Sequence, residues 1–595
     1  MAIISGKINE NTPVAEFQGR EYRTLPNSFW RNSQAPAPPL RIGVLLDNPL
    51  VCRWQAAVLT DVLKSDFAQI QLLIICERTE AAAVPRKGFL QRLARSNSRR
   101  RLLYDIYLGV DGHRKRLNDP LEAADDFSFP TNIETLRLMS PSHDAVEKFP
   151  EPILQEITDK KLDVVLAFGF STLRSHLFSI ARYGVWSYRH GCERCPSALA
   201  YFWEIYDRSP LSVVALQAVT DQQNAFPLGK ALFNTQKSIS VSANRFAPYW
   251  GGTHLAISML NHVHHFGGKT LANTSIPDSE NPAVKRNFDK TPSNKEMLRW
   301  LGPVLINKLI RRPFRKPMVQ HWSIAMRWKR GFFFEDGQTG GPDHFRWLEA
   351  PRGYFWADPF LFEKDGKTWL FFEEYSYAEK RAWISCAEVL GDGMLGERFK
   401  CLDNQPRHYS YPYVFTQGRE IFMIPEAYDS EVIDLYRCEE FPHGWSRIAT
   451  LMKGKFVDTS VWYDQGLWWM LTTTAEPDPR TPCLLLFYAE SLTGPWHFHP
   501  GNPISSDIRN NRGAGRVFQH EGKWIRPSQS CSPIYGYSFA LNEIQELSRT
   551  RYTERLSREV TPALWKGVCA VHTYNWAGQI EVIDGGRMMP LAKVR

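Results

Sequence analysis

A unit of strand, tight turn and strand recurs five times in the second half of this chain, at intervals of about 50 residues, and no other feature narrows the fold so far. The first copy is Trp356–Tyr375, WADPFLFEKDGKTWLFFEEY, in which Asp365-Gly366 reads as the left-handed pair of a hairpin turn. The next copies start at Tyr411 (YPYVF, then IFMIPEA), Val457 (VDTSVW, then LWWMLTT) and Arg512 (RGAGRVF, then KWIRPSQS). The last runs from Gly567 (GVCAVHTYN, then AGQIEVIDG). Each copy is rich in aromatic and β-branched residues and cannot bury its faces alone, whereas repeats stacked around an axis can. The expectation is a five-bladed β-propeller over residues 321–595.

Composition bounds the remainder. The chain has 595 residues, 43% of them hydrophobic and 13% aromatic, enough for more than one domain with its own core. No stretch reaches the roughly 18 apolar residues of a membrane span, and the first residues, MAIISGKINENT, do not read as a signal peptide. The ten cysteines lack the even spacing of a disulfide framework, which points to reduced thiols and a cytoplasmic location. The net charge of +9 is concentrated. Pro85–Arg116 holds ten Lys or Arg against two acids, and a second cluster spans 311–330. Either is a solvated face or a surface for an anionic partner; no aromatic-interleaved basic motif supports nucleic acid.

Residues 1–38 are polar and proline-rich and read as a loose arm. An open, mostly parallel α/β domain is expected over 39–266. Leu40–Asp47 (LRIGVLLD), Ile70–Cys76 (IQLLIIC) and Leu162–Phe168 (LDVVLAF) are continuous apolar runs of the buried parallel kind, and Trp54–Leu63 is an amphipathic helix between the first two. The basic region has apolar residues at near-helical spacing, which predicts an exposed amphipathic insertion. Further helices are expected over 145–159 and 172–180. Gly184–His190 (GVWSYRH) ends a strand on a polar cluster, the edge where ligands of open α/β sheets sit. No G-x-G-x-x-G supports a dinucleotide. His190, Cys192 and Cys195 form H-G-C-E-R-C, but with no second C-x-x-C a metal is not expected. A polar linker with one short helix, Glu296–Ile310, fills 267–320, and HWSIAMRW from His321 is taken as the propeller's first strand.

Two family resemblances are carried by these motifs. The ADPF start, the DG hairpin, FFEE, DTSVW, RGAGR and HTYN resemble the five-bladed propeller of glycoside hydrolase family 43. They are more similar still to the propeller of plant glucosamine inositolphosphorylceramide transferases, found in bacteria fused to formyltransferase-like domains. The succession LDVVLAFGF, GVWSYRHG, FWEIYDRSPLSVVALQAVT and SISVSANR resembles the domain that uses 10-formyltetrahydrofolate as donor. That resemblance implies a histidine polarising the formyl carbonyl and an aspartate sharing the proton of the attacking amine. His190 takes the histidine's place. The family's Asn falls on Ser187 or Tyr188 and its Asp near Asn224, with Asp221 the nearest carboxylate able to substitute. Two readings stay open: formyl transfer to an amino sugar, or an altered domain that only binds or packs.

In the propeller, the hydrolase resemblance implies Asp358 as a general base, with Asp458 as a second inner-strand acid and Glu374 and Glu426 at strand ends. The other reading has these acids lining a polar funnel that binds a glycan without cleaving it. Trp356, Arg516 and His572 complete the expected sugar site, His572 holding an axial water or cation or making a structural hydrogen bond. The expected partner is a sugar, nucleotide-sugar or glycolipid, and the expected function a transferase of glycan or glycolipid assembly. The alternatives are a carbohydrate-binding scaffold with a vestigial transferase domain, and a glycosidase.

Overall fold

The structure, a computed structural model, describes residues 28–78, 100–112, 118–140, 149, 151–169, 180–191, 199–219, 225–236, 238–268, 291–306, 317–328, 332, 344–391, 393–402, 407–475 and 482–594. Several expectations lie outside these residues: the arm up to 27, most of the basic region, residues 311–316 and 329–330 of the second cluster, the helix over 172–179, Cys192, Cys195, Asp221 and Asn224. The chain divides into two units, 17–315 and 316–595.

The first unit is built on seven strands: β1 (Leu40–Leu46), β2 (Ala68–Arg78), β3 (Glu134–Ser140), β4 (Val164–Phe168), β5 (Val185–His190), β6 (Leu211–Val219) and β7 (Ala225–Asn234). They lie in the order β3-β2-β1-β4-β5-β6-β7. The first five run parallel, β6 pairs antiparallel with β5, and β7 pairs antiparallel with β6. Apolar runs without alternation suit strands buried on both faces, and all but one residue of β1 is buried. Helix α1 (Arg53–Leu63) opens where the Cys52 N–H donates to Gln55 Oε1, and it buries Trp54, Ala57, Val58 and Val62. The basic region contributes an amphipathic helix, Leu102–Gly112, with Asp105, Ile106, Leu108 and Val110 exposed on one side. Tyr104 and Tyr107 are buried with Phe202, Trp203 and Met297, the last from the short helix Asn294–Ile306, so both helices cover the α/β unit.

The second unit is a ring of five sheets. Blade 1 spans Tyr354–Leu402, blade 2 Ser410–Lys453, blade 3 Phe456–Phe498 and blade 4 Arg512–Val560. The fifth pairs Tyr574–Ala577 and Ile580–Pro590 with Met318–Trp328 and Arg346–Leu348. HWSIAMRW is the propeller's first strand in chain order, as expected, and sits third in the closing sheet. Eleven ladder pairs between Met318–Trp328 and Ile580–Pro590 join the two ends of the ring, removing the open edges a linear array would leave. Asp365-Gly366, Gln465-Gly466 and Glu521-Gly522 all have positive φ at both residues, as hairpins of right-twisted strands require. Cores form between blades, as where Ile324, Met326 and Val582 of the closing sheet meet Trp356, Leu361 and Phe372 of blade 1.

Candidate functional site

The inner strands of blades 1, 2 and 3 each break their pairing at the same place. The register jumps between Ala357 and Phe360, between Ser410 and Tyr413, and between Val457 and Ser460. Inside each bulge sits a residue in the left-handed region: Asp358 (φ 49°), Tyr411 (φ 46°) and Asp458 (φ 53°). Such backbone is costly for a side chain other than Gly, Asn or Asp, and a bulge re-aims the residue it carries. Two of the three are aspartates.

Carboxylates join neighbouring blades here. The Asp358 N–H donates to Asp584 Oδ2 (3.0 Å), the Tyr411 N–H to Asp358 Oδ2 (3.2 Å) and the Asp458 N–H to Glu426 Oε2 (3.2 Å). The Thr573 hydroxyl donates to Asp358 Oδ1 (3.0 Å). In blade 4, Arg512 Nε donates to Asp458 Oδ2 at 2.7 Å, both side chains being buried. In blade 5, His572 Nδ1 meets Asp584 Oδ1 at 2.7 Å while its Nε2 lies 3.6 Å from Asp358 Oδ1. Trp322 stacks on the His572 ring at 4.1 Å and Tyr535 meets it edge-on. Below, the Tyr411 hydroxyl accepts from the Gly515 N–H (2.9 Å), closing the floor. Gly515 has φ 136°, and a Cβ there would fall 2.0 Å from the Tyr574 carbonyl oxygen.

These groups surround a cavity of about 20 Å³ lined by Asp358, Glu373, Glu426, Asp458, Arg512 and His572 together with Trp322, Phe355, His408 and Tyr535. That is space for about one water-sized group. Burial pushes the Asp358 carboxyl up to about 7; His572 opposes this and Glu373, Asp584 and Asp458 add to it. Glu426 is pushed up to about 8, by burial and then by Asp458. Burial alone would lower His572, but Asp584, hydrogen-bonded to it, and Asp358 outweigh burial and raise it to about 9. The floor thus holds two carboxyls inclined to keep their protons beside an imidazolium. Asp358, His572 and Asp584 offer ligand atoms within 4.8 Å of one another.

Asp358, Glu426, Asp458 and His572 therefore converge, whereas Trp356, Glu374 and Arg516 do not line the cavity. Trp356 and Glu374 are cross-strand partners and share a face, the one packed against the neighbouring sheet. There Glu374 accepts from Trp356 Nε1 (3.3 Å), Trp383 Nε1 (3.0 Å) and the Ser385 hydroxyl (2.7 Å), and pairs with Arg398. Alternation along the strand turns Glu373 to the funnel instead. Arg516 donates to the Leu361 and Val414 carbonyls, each three residues further along an inner strand than Asp358 and Tyr411. The residues that sequence reasoning passed over are Glu373, His408, Arg512, Tyr535 and Asp584. Only Glu373 had a usable signal, its pairing opposite Ala357.

In the α/β unit, His190 ends β5. Its Nδ1 lies 3.1 Å from the Tyr201 hydroxyl, which donates to the Val213 carbonyl, so Nδ1 carries the proton and Nε2 is left as an acceptor. No hydrogen bond reaches Nε2 among the described residues. The ring stacks on Tyr249 at 3.7 Å and meets Trp54 edge-on, and burial lowers its pKa to about 3, so it is neutral. At the family's Asn position, the Tyr188 hydroxyl donates to the Thr253 carbonyl (3.2 Å) and accepts from the Ala256 N–H (3.0 Å). Ser187 Oγ lies 3.5 Å from Gln217 Nε2.

Comparison with known proteins bears on the propeller. Residues 349–579 match the family described as glucosamine inositolphosphorylceramide transferase 1, N-terminal. Glucosamine inositolphosphorylceramide transferase 1 of Oryza sativa subsp. japonica is 34% identical over 204 residues, covering 34% of this chain and 27% of that protein. Its namesake in Arabidopsis thaliana is 30% identical over the same shares. Among solved structures, a thermostable family-43 glycoside hydrolase aligns at 14% identity, covering 40% of this chain and 90% of that one, with a TM-score of 0.32. The exo-beta-1,3-galactanase of Clostridium thermocellum aligns at 13% identity over 36% and 53%, with a TM-score of 0.28. The match spans about a quarter of the length of the curated relatives, and over its propeller this chain is similar to the N-terminal part of glucosamine inositolphosphorylceramide transferases.

Proposed function

We propose that this protein serves in the assembly of a glycolipid or cell-surface glycan as a transferase-type protein, with the propeller funnel holding a sugar. One observation carries the reading: carboxyl groups from blades 1, 2 and 3 converge beside Trp322 and Tyr535 on a single small cavity. Aromatic faces with carboxylates match the two kinds of surface a pyranose offers, its C–H face and its hydroxyls. The relatives support the same direction, since their name describes a transferase involving glucosamine and inositolphosphorylceramide. Binding is favoured over cleavage because Asp358, Glu426 and Asp458 each hold a neighbouring blade in place. The test is a glycan array probed with the full chain and with Asp358→Asn. Binding by the parent, weakened in the variant without loss of thermal stability, is expected; an array the parent leaves blank overturns the reading.

A second reading, formyl transfer from 10-formyltetrahydrofolate to an amino sugar, is favoured by His190, neutral and with Nε2 open at a strand's carboxyl end. The described residues fit only the histidine of the expected set. The Tyr188 hydroxyl is engaged elsewhere, and residues 220–224 lie outside the described structure, so no transfer step is derived. Tetrahydrofolate release from the donor with a panel of nucleotide-linked amino sugars, lost in His190→Ala, would support transfer. No release and no folate binding leave the propeller as the working half. A cytoplasmic location and an anionic partner for the basic segments remain part of this proposal.

A further inference from the structure

The funnel has an unspent carboxylate. Glu373 is 7% exposed, lines the cavity beside Asp358, and receives no hydrogen bond among the described residues. His408 Nε2 pairs with its Oε1 at 3.2 Å without hydrogen-bond alignment, and that nitrogen makes no hydrogen bond among the described residues. A carboxylate in a narrow cavity with a single imidazole beside it keeps acceptor capacity that a ligand's donor can meet. The surrounding charge says which donor. Asp358, Glu373, Glu426 and Asp458 line the cavity, with Asp584 behind them, against the Arg512 guanidinium and the His572 imidazolium. Arg512 is already committed to Asp458 and His572 to Asp584. The cavity admits one small group, too little for a ring but enough for an ammonium head.

Resting on the reading of the funnel as a sugar site, we propose that its floor binds the protonated primary amine of an amino sugar, with Glu373 as the principal acceptor. The pyranose ring sits above, toward Trp322 and Tyr535. Entry of the cation favours the charged forms of Asp358 and Glu426, which burial otherwise holds protonated near neutral pH, so binding releases protons. Other charged or titratable groups facing them are Glu373 and His408 from blade 1 and the loop before blade 2, Asp458, Arg512, Tyr535, His572 and Asp584.

The test is titration calorimetry of the full chain near pH 7 with methyl glycosides of glucosamine, galactosamine and mannosamine, each beside its N-acetyl and hydroxyl counterparts, and with calcium chloride alone. At least a tenfold preference for one amine form is expected, with proton release seen as a buffer-dependent heat. Glu373→Gln should erase the preference while keeping the weaker binding of the neutral forms, which also shows that the variant is folded. Because proton release is read on the parent protein, the proposal does not depend on that variant. Equal binding of amine, N-acetyl and hydroxyl forms, or a preference untouched by Glu373→Gln, overturns the amine inference and leaves the sugar site standing. Calcium binding that Glu373→Gln removes, without any amine preference, makes it an inorganic cation site and overturns the inference. No binding of any sugar overturns both.

Discussion

Asp358→Asn should make the propeller's stability less sensitive to pH, in a direction that the geometry dictates. Asp358 is 8% exposed and keeps its proton in the fold to about 7, against 3.8 when unperturbed. The sign follows from linkage. A carboxyl whose folded pKa is raised contributes stability that is whole below about pH 3.8 and is lost as pH rises to about 7. A rise from 3.8 to about 7 corresponds to about 4 kcal/mol. That value already includes the opposing pull of the His572 imidazolium 3.6 Å away, so nothing further is subtracted for it. Asparagine mimics the protonated acid. Its amide oxygen can accept from the Tyr411 N–H, and the Thr573 hydroxyl can turn to accept from its NH₂. Between pH 4 and pH 8 the variant should therefore gain on the parent by roughly 8 °C in Tm, at about 2 °C per kcal/mol for a unit of this size. Scanning calorimetry of the full chain reads this, following the transition that the substitution moves, since two units need not melt together. A difference that stays constant from pH 4 to 8 would refute the reasoning. One that moves the other way would show that His572 wins and Asp358 ionises early.

Gly515→Ala should lower the propeller's stability by about 3 kcal/mol or more, because left-handed backbone and a Cβ 2.0 Å from the Tyr574 carbonyl cannot both be relieved; a change in Tm below about 2 °C would contradict this. Arg512→Met, which leaves Asp458 buried without its guanidinium, should cost about 3–5 kcal/mol, and adding Asp458→Asn should restore a large part; additive losses in denaturant titrations would show that the pair is uncoupled. For His190 the sign is opposite to that of Asp358: its lowered folded pKa gives stability present above 6.5 that is lost as pH falls toward 3. His190→Gln should accordingly flatten the acid limb of the α/β unit's melting profile between pH 6.5 and 4.5, and an unchanged limb would place a charged His190 in the fold.

What sequence alone determined follows from local physics. Apolar runs without alternation mark β1, β2 and β4 because strands covered on both faces have no polar side. The paired left-handed turn residues and the interval of about 50 residues mark the blades, because each hairpin is closed by residues adjacent in sequence. Asp358 and Asp458 stand out for the same reason: a carboxylate at the head of an otherwise apolar strand needs an axis or a ligand.

Contacts distant in sequence decided the rest. Trp356 and Glu374 looked like funnel residues from their neighbourhood, yet the bulge at Asp358 sets two residues against one, so Asp358 reaches the axis while its flanking Trp356 turns to the adjacent blade. Glu373 rather than Glu374 then faces the cavity. Arg512 and Arg516 are indistinguishable in RGAGR, and only the approach of Asp458 to one and of the Leu361 and Val414 carbonyls to the other separates them. HWSIAMRW carries no local mark of being the third strand of the last sheet. Its partner, Ile580–Pro590, lies more than 250 residues away, and a ladder between chain segments so far apart exists only once the ring has closed.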